Sequence, residues 1–278
     1  MIITGASSGV GRSAATQLAS LGARLVLVGR SAERHRAVEV ELDGVGASHR
    51  LVPTDLRRLS TVADAAGTIA NSGAGSDFIL INNAATAGRR GITEDGFELA
   101  FGVNYFAHFL LTSLLLEARL PIRRVINVTS NAHYSTPKLD PGQALGKTRS
   151  FLGWREYSHS KAAMAAMSLE LAERHSDVIS LAVHPGLVAT GLWRRIPQPF
   201  RAIVTRRMVP PEIGALQLVR AATDPSLPSG GYLAPEGLRD PGRAVLDQLG
   251  RVLLWDASSL WVERFRSAPT GGPLPFRP

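Results

Sequence analysis

A tyrosine and a lysine stand four residues apart in the string Tyr157-Ser158-His159-Ser160-Lys161. On a helix that spacing puts a phenol and an ammonium on one face. A free phenol is protonated near neutral pH and is a poor base, but a nearby positive charge lowers its pKa. Together the two groups can give a proton to a carbonyl oxygen or take one from an alcohol. Far upstream, Thr4-Gly5-Ala6-Ser7-Ser8-Gly9-Val10-Gly11 follows the apolar pair Ile2-Ile3 and leads into a helix-forming stretch. A glycine-rich turn at such a place brings backbone close to a phosphate and aims a helix N-terminus at its charge. Between these segments lies Asn82-Asn83-Ala84-Ala85. A dinucleotide cradle and an acid/base pair in one chain point to hydride transfer.

A competing Tyr-x-x-x-Lys, Tyr134 to Lys138, encloses Pro137. Proline there would remove a helical hydrogen bond and clash with the preceding turn. Tyr157 leads instead into Lys161-Ala162-Ala163-Met164-Ala165-Ala166-Met167, a strong helix former, and is the better candidate. Cofactor choice turns on the end of the second apolar run, where enzymes that use NAD carry an acidic residue for the adenosine ribose. This chain has Gly29 and then Arg30. A guanidinium suits a 2′-phosphate through charge-assisted hydrogen bonds, so NADP(H) is expected over NAD(H). His159 and His184 have no carboxylate at ligand spacing, and no metal is expected.

These residues need a scaffold, and the apolar pattern supplies one. Helical stretches (residues 12–21, from about 31 to 42, one between 55 and 77, 94–116 and 157–175) alternate with short apolar runs (2–3, 24–28, 49–52, 77–81, 124–129 and 178–183). Six such β/α units imply an α/β protein with one doubly wound parallel sheet of about seven strands and helices on both faces. One domain over residues 1–268 is expected, with a flexible tail at 269–278. Segments 131–155 and 191–211 break the rhythm. Both leave strand ends where ligands of such sheets bind, so both are candidate substrate walls. The second holds Leu192, Trp193, Ile196, Phe200, Ile203, Val204 and Met208, which favours a hydrophobic carbonyl or alcohol.

Composition narrows the class further. The chain of 278 residues has no cysteine, which excludes disulfides and thiolate chemistry. Its net charge of +8 comes mostly from scattered arginines without interleaved aromatics, so no nucleic-acid partner is expected. The longest apolar run carries His108, Thr112 and Ser113, and the glycine turn starts almost at Met1. A cytoplasmic protein with neither membrane span nor signal peptide is the expectation. The first strand is short, or the natural start lies upstream.

The three motifs resemble those of the short-chain dehydrogenase/reductase family over essentially the whole chain, with a Rossmann fold implied. The strings Phe101-Gly102-Val103-Asn104-Tyr105-Phe106-Ala107-His108-Phe109-Leu110-Leu111-Thr112 and His184-Pro185-Gly186 are most similar to its retinol-dehydrogenase-like branch. The resemblance implies a catalytic set of Asn104, Ser130, Tyr157 and Lys161. Tyr157 would be the acid/base and also contact the cofactor, and Lys161 would tune it and bind the nicotinamide ribose. Ser130 would hold the substrate oxygen, and Asn104 a relay water. It also implies cofactor contacts at Gly5, Ser7, Ser8, Gly9, Val10 and Gly11, at Arg30, and at Asp55 and Leu56 near adenine. Asn83 and Ala84 would line the adenosine ribose, and Ala85, where the family usually has glycine, would put a methyl close to the cofactor. Pro185, Gly186, Val188 and Thr190 would clamp the carboxamide. A homodimer or homotetramer paired through the helices of Asn104 and Tyr157 is implied as well. Cyclisation, dehydration or isomerisation by the same Tyr/Lys pair is the alternative chemistry.

Overall fold

Aliphatic runs with no polar alternation must be covered on both sides, and this governs the architecture. The computed structural model describes residues 1–30, 32–72, 77–189 and 208–266. Its strands are β1 Ile2–Thr4, β2 Leu25–Gly29, β3 His49–Pro53, β4 Phe78–Asn82, β5 Ile122–Val128, β6 Ile179–Val183, β7 Tyr232–Ala234 and β8 Gly237–Arg239. They form one sheet in the order β3-β2-β1-β4-β5-β6-β7-β8. All neighbours run parallel except β8, which pairs antiparallel with β7. Alternate residues feed two cores. Ile2, Val26, Leu80 and Val125 turn to one side, and Ile3, Leu27, Ile81 and Ile126 to the other.

On the second side lie helices α1 Gly9–Ser20, α2 Ala32–Gly44 and α6 Pro211–Thr223; on the first lie α3 Leu59–Ala70, α4 Leu99–Glu117, α5 Trp154–Arg174 and α7 Gln248–Val262. This is the doubly wound arrangement expected, with an eighth strand added. The β7–β8 hairpin escaped the sequence pattern because three-residue strands are too short to show a period. Two helix starts also differ. α4 begins at Leu99 rather than residue 94, because the Glu98 carboxylate caps it by accepting from the Ala100 and Phe101 amides. α5 begins at Trp154, after Gly153 in the left-handed region, three residues earlier than expected. By length and composition α4 could cross a bilayer, with mean hydropathy 1.6, yet 78% of it is buried inside the protein.

α7 changes the expectation about pairing. It lies against α4 and α5, the Tyr105 and Ser258 hydroxyls meeting at 3.0 Å. The Phe109 and Trp255 rings stack edge-on at 4.9 Å, and Arg251 binds Glu170. An oligomer built on the α4 and α5 faces would therefore meet α7 first.

Candidate active site

At the end of β1 the chain turns on Gly5 with φ 69°, and its amide is held by the Val28 carbonyl at 3.0 Å. A Cβ on Gly5 would stand 2.8 Å from Ala84 Cα, and one on Gly11 2.3 Å from Asn83 Nδ2. Glycine is thus required at both positions by close approach. Asn83 donates its side-chain amide to the Thr4 carbonyl at 2.8 Å. Expected at the ribose, it lines the cleft while its side chain splints the turn. α1 starts after Ser8 with no side-chain cap and no acid in its first turn. Its first amides are left for an anion.

A cleft of about 1190 Å³ crosses the carboxyl ends of the strands. Every expected cofactor residue lines it except Thr190, which lies outside the described residues. At one end stand Arg30, Arg34, Arg57 and Arg89. Burial lowers the Arg30 guanidinium, Arg34, Arg57 and Arg89 add to the effect, and Asp55 opposes it. Asp55 itself is gripped by Arg57, with both carboxylate oxygens 3.1 Å from Nε. Sequence reading named only Arg30 from this cluster. The signal available was Arg34 one helical turn after Arg30, and Arg57 two residues after Asp55. Gly29 cannot be exchanged for an acid without movement, because a Cβ there would stand 2.4 Å from the ring of His35.

At the other end, Ser130, Tyr157 and Lys161 line the same space. Burial pushes the Tyr157 phenol up to about 12, with a hydrogen bond from Ser130 pulling the other way. Burial lowers the Lys161 ammonium to about 7. The expected lowering of the phenol by Lys161 is not realised here. Lys161 Nζ donates to the Val128 carbonyl at 2.7 Å and lies 5.9 Å from the Tyr157 ring centroid. The rejected Tyr134 sits in a 3-10 turn, Asn131–Ser135, and donates to the Asp240 carbonyl.

Asn104 stands behind this end and does not line the cleft. It lies in a π-helical stretch, Gly102–Phe106, inside α4. Its side chain accepts from the Thr86 amide at 2.7 Å and donates to the Thr86 carbonyl and the Ser160 hydroxyl. Its carbonyl meets His108 Nδ1 at 2.9 Å, and His108 Nε2 meets the Thr4 hydroxyl at 2.9 Å. The partners assign the tautomer: a carbonyl only accepts, so Nδ1 carries the proton and Nε2 accepts from Thr4. Burial lowers His108 to about 4, which keeps it neutral. The fully buried His108 thus ties the π stretch to the glycine turn, a link that sequence reading missed. His133 does a similar job for Ser130, with Nδ1 2.6 Å from the Ser130 carbonyl and Nε2 accepting from the Gly242 amide.

His184 lines the cleft, and its buried Nδ1 has no hydrogen-bond partner among the described residues. Burial lowers it to about 4. Of the expected substrate walls, 131–155 supplies Asn131, Ala132, Ser135 and Trp154, and Ile92, Leu99, Val103 and Leu187 join them. Leu192, Trp193, Ile196, Phe200, Ile203 and Val204 lie outside the described residues.

A parallel sheet with a phosphate turn after its first strand and Ser, Tyr and Lys across the strand ends defines a dinucleotide-dependent class, and sequence comparison agrees. The family model described as short chain dehydrogenase matches residues 1–141. A protein of Streptomyces sp. (strain C5), provisionally named daunorubicin C-13 ketoreductase, is 33% identical over 93% of this chain and 91% of its own. Polyprenol dehydrogenase of Mus musculus is 34% identical over 98% and 84%, and retinol dehydrogenase 14 of Homo sapiens 31% identical over 94% and 85%. The crystal structure of an uncharacterised protein from Mycobacterium Paratuberculosis superposes with a TM-score of 0.76 at 28% identity, covering 98% of this chain and 94% of that one. The chain belongs to the short-chain dehydrogenase/reductase family, in its retinol-dehydrogenase-like branch, whose oxidoreductases act between alcohols and carbonyls.

Proposed function

We propose that this protein reduces an apolar ketone or aldehyde with NADPH, or oxidises the corresponding alcohol, with Tyr157 carrying the proton. The observation behind this reading is one cleft with a cluster of arginines at one end and hydrogen-bonded Ser130 and Tyr157 at the other. Several features fit a dinucleotide. The uncapped start of α1 suits its pyrophosphate. Gly5 and Gly11 leave the space that a Cβ would fill. Arg30 and Arg34, with glycine at position 29, suit a 2′-phosphate better than two free ribose hydroxyls. The chemistry supplied at that site is hydride transfer to or from a substrate carbon.

The chain's own residues do the rest. Ser130 donates to the substrate oxygen and holds it beside the phenol. Tyr157, protonated at neutral pH because its pKa is about 12, gives its proton to that oxygen as charge develops on it. Lys161, near 7, is the group that titrates in the working range and returns the proton. Trp154, whose ring centroid is 5.6 Å from that of Tyr157, and the aliphatic Ile92, Val103 and Leu187 favour an apolar substrate. The test is oxidation of NADPH and of NADH over a panel of apolar aldehydes, ketones and quinones. Turnover at least about tenfold faster with NADPH supports the reading. Equal use of NADH, or tight NADPH binding without turnover, contradicts it.

A further inference from the structure

Residues 145–155, between the Ser130 turn and α5, carry side chains that a soluble surface rarely presents together. Phe151 is 85% exposed, and Leu145 and Trp154 are each about half exposed. Around them Lys147, Arg149 and Arg155 are exposed, and Glu156, the acid next to them, is buried. Arg89 and Arg90 stand alongside. Arg90 donates to the Thr148 carbonyl at 3.2 Å, and the Arg89 carbonyl lies 2.8 Å from where a Gly153 Cβ would be. Among the described residues, Arg89, Lys147, Arg149 and Arg155 form no salt bridge.

The protrusion is held in shape. Glu156 accepts from the Arg149 and Ser150 amides at 2.9 and 3.0 Å and from the Ser150 hydroxyl. Burial would raise its pKa, but these hydrogen bonds outweigh burial and lower it, so the carboxylate stays charged. Leu152, at φ 52° and ψ 17°, lies in the left-handed region that a branched residue disfavours, and Gly153 follows at φ 66°. A costly backbone pinned by a buried carboxylate keeps Phe151 pointing into solvent, where it gains nothing from the fold itself.

We infer that residues 145–155 seat the mouth of the cleft on an anionic lipid surface, from which the apolar substrate enters. Aromatic side chains ringed by arginine and lysine are the chemistry of peripheral membrane contact: the rings enter the headgroup layer and the cations meet anionic lipids. Trp154 belongs to both the patch and the cleft wall, so the contact opens on the site. A second copy of the chain fits poorly, since a two-fold contact would set the same cations against each other. The substrate side of this inference rests on the carbonyl-reductase reading; the docking side does not.

Flotation with vesicles separates the two, because it needs neither substrate nor cofactor. The protein is expected to float with vesicles of phosphatidylcholine containing about 30 mol % phosphatidylglycerol, and to be released as salt screens the contact. Pure phosphatidylcholine should hold it weakly. Phe151→Asp, and separately Lys147→Glu with Arg149→Glu, should cut binding to the anionic vesicles by about tenfold or more. Both variants should keep the parent melting temperature and its turnover of a water-soluble carbonyl, and Phe151→Ser serves if Phe151→Asp does not fold. Failure to float with anionic vesicles overturns the inference, as does undiminished flotation of folded Phe151→Asp or Phe151→Ser. A lipid-independent dimer in sedimentation that Phe151→Asp abolishes also overturns it and assigns the patch to self-association.

Discussion

The two ends of the cleft are built by different rules. The phosphate end is made of backbone: Gly5 and Gly11 approach Ala84 and Asn83 too closely for any side chain, and the start of α1 offers bare amides. The substrate end is made of side chains from distant segments, with Ile92, Val103, Trp154 and Leu187 around Tyr157. A backbone site tolerates almost no substitution at its glycines. A side-chain site can change its lining and keep its chemistry, which is how one scaffold serves many substrates.

The sharpest way to break this contrast is at Gly11. Gly11→Ala puts a methyl into the Asn83 amide, and dinucleotide affinity is expected to fall about 100-fold, from a few kcal/mol of overpacking. Calorimetric titration measures it, and an unchanged affinity would mean the turn yields more easily than a backbone site should. Arg30→Ala with Arg34→Ala is next. NADPH affinity should drop about tenfold or more while NADH affinity hardly moves, and equal losses would assign the arginines to a phosphate common to both.

At the substrate end, Lys161 sets a pH dependence with a definite sign. Its folded pKa of about 7 lies below the ordinary lysine value of 10.5, so the unfolded chain binds more protons between these limits. Stability of the ligand-free protein therefore rises as pH increases from about 7 to about 10. Thermal melts of Lys161→Met should lack that rise. kcat/KM for the dinucleotide in the reducing direction reports the free enzyme and should decline above about pH 7 as Lys161 loses its proton. The smallest effect is expected from Trp154→Ala, a rise in KM for an apolar carbonyl of about three- to tenfold with kcat nearly kept. A collapse of kcat would mean Trp154 positions Tyr157 rather than the substrate.

What could be read from the sequence follows the same division. The glycine turn, the Tyr157/Lys161 pair and the alternating elements were legible because each is a local pattern, fixed by spacing along the chain. The β7–β8 hairpin was not, since Tyr232–Ala234 and Gly237–Arg239 are three residues each. Nor was the arginine cluster, because Arg30, Arg57 and Arg89 converge only when the ends of β2 and β3 meet the loop after β4. His108 looked like one more residue of a helix. Only the fold shows its ring bridging the Asn104 carbonyl and the Thr4 hydroxyl, the latter 104 residues from His108 in sequence. The lowered phenol expected from Lys161 failed for a related reason: spacing predicts proximity, while burial decides which pKa moves.

The central claim is that Tyr157 delivers the proton while the rest of the cleft binds the dinucleotide without it. Its most direct test is Tyr157→Phe, followed in parallel by NADPH titration and by single-turnover oxidation with an apolar carbonyl that the parent protein reduces. The account predicts NADPH affinity within about threefold of the parent and a turnover rate lower by about 1000-fold or more. Turnover within about tenfold of the parent, with affinity retained, would contradict it and move the proton donor elsewhere in the cleft.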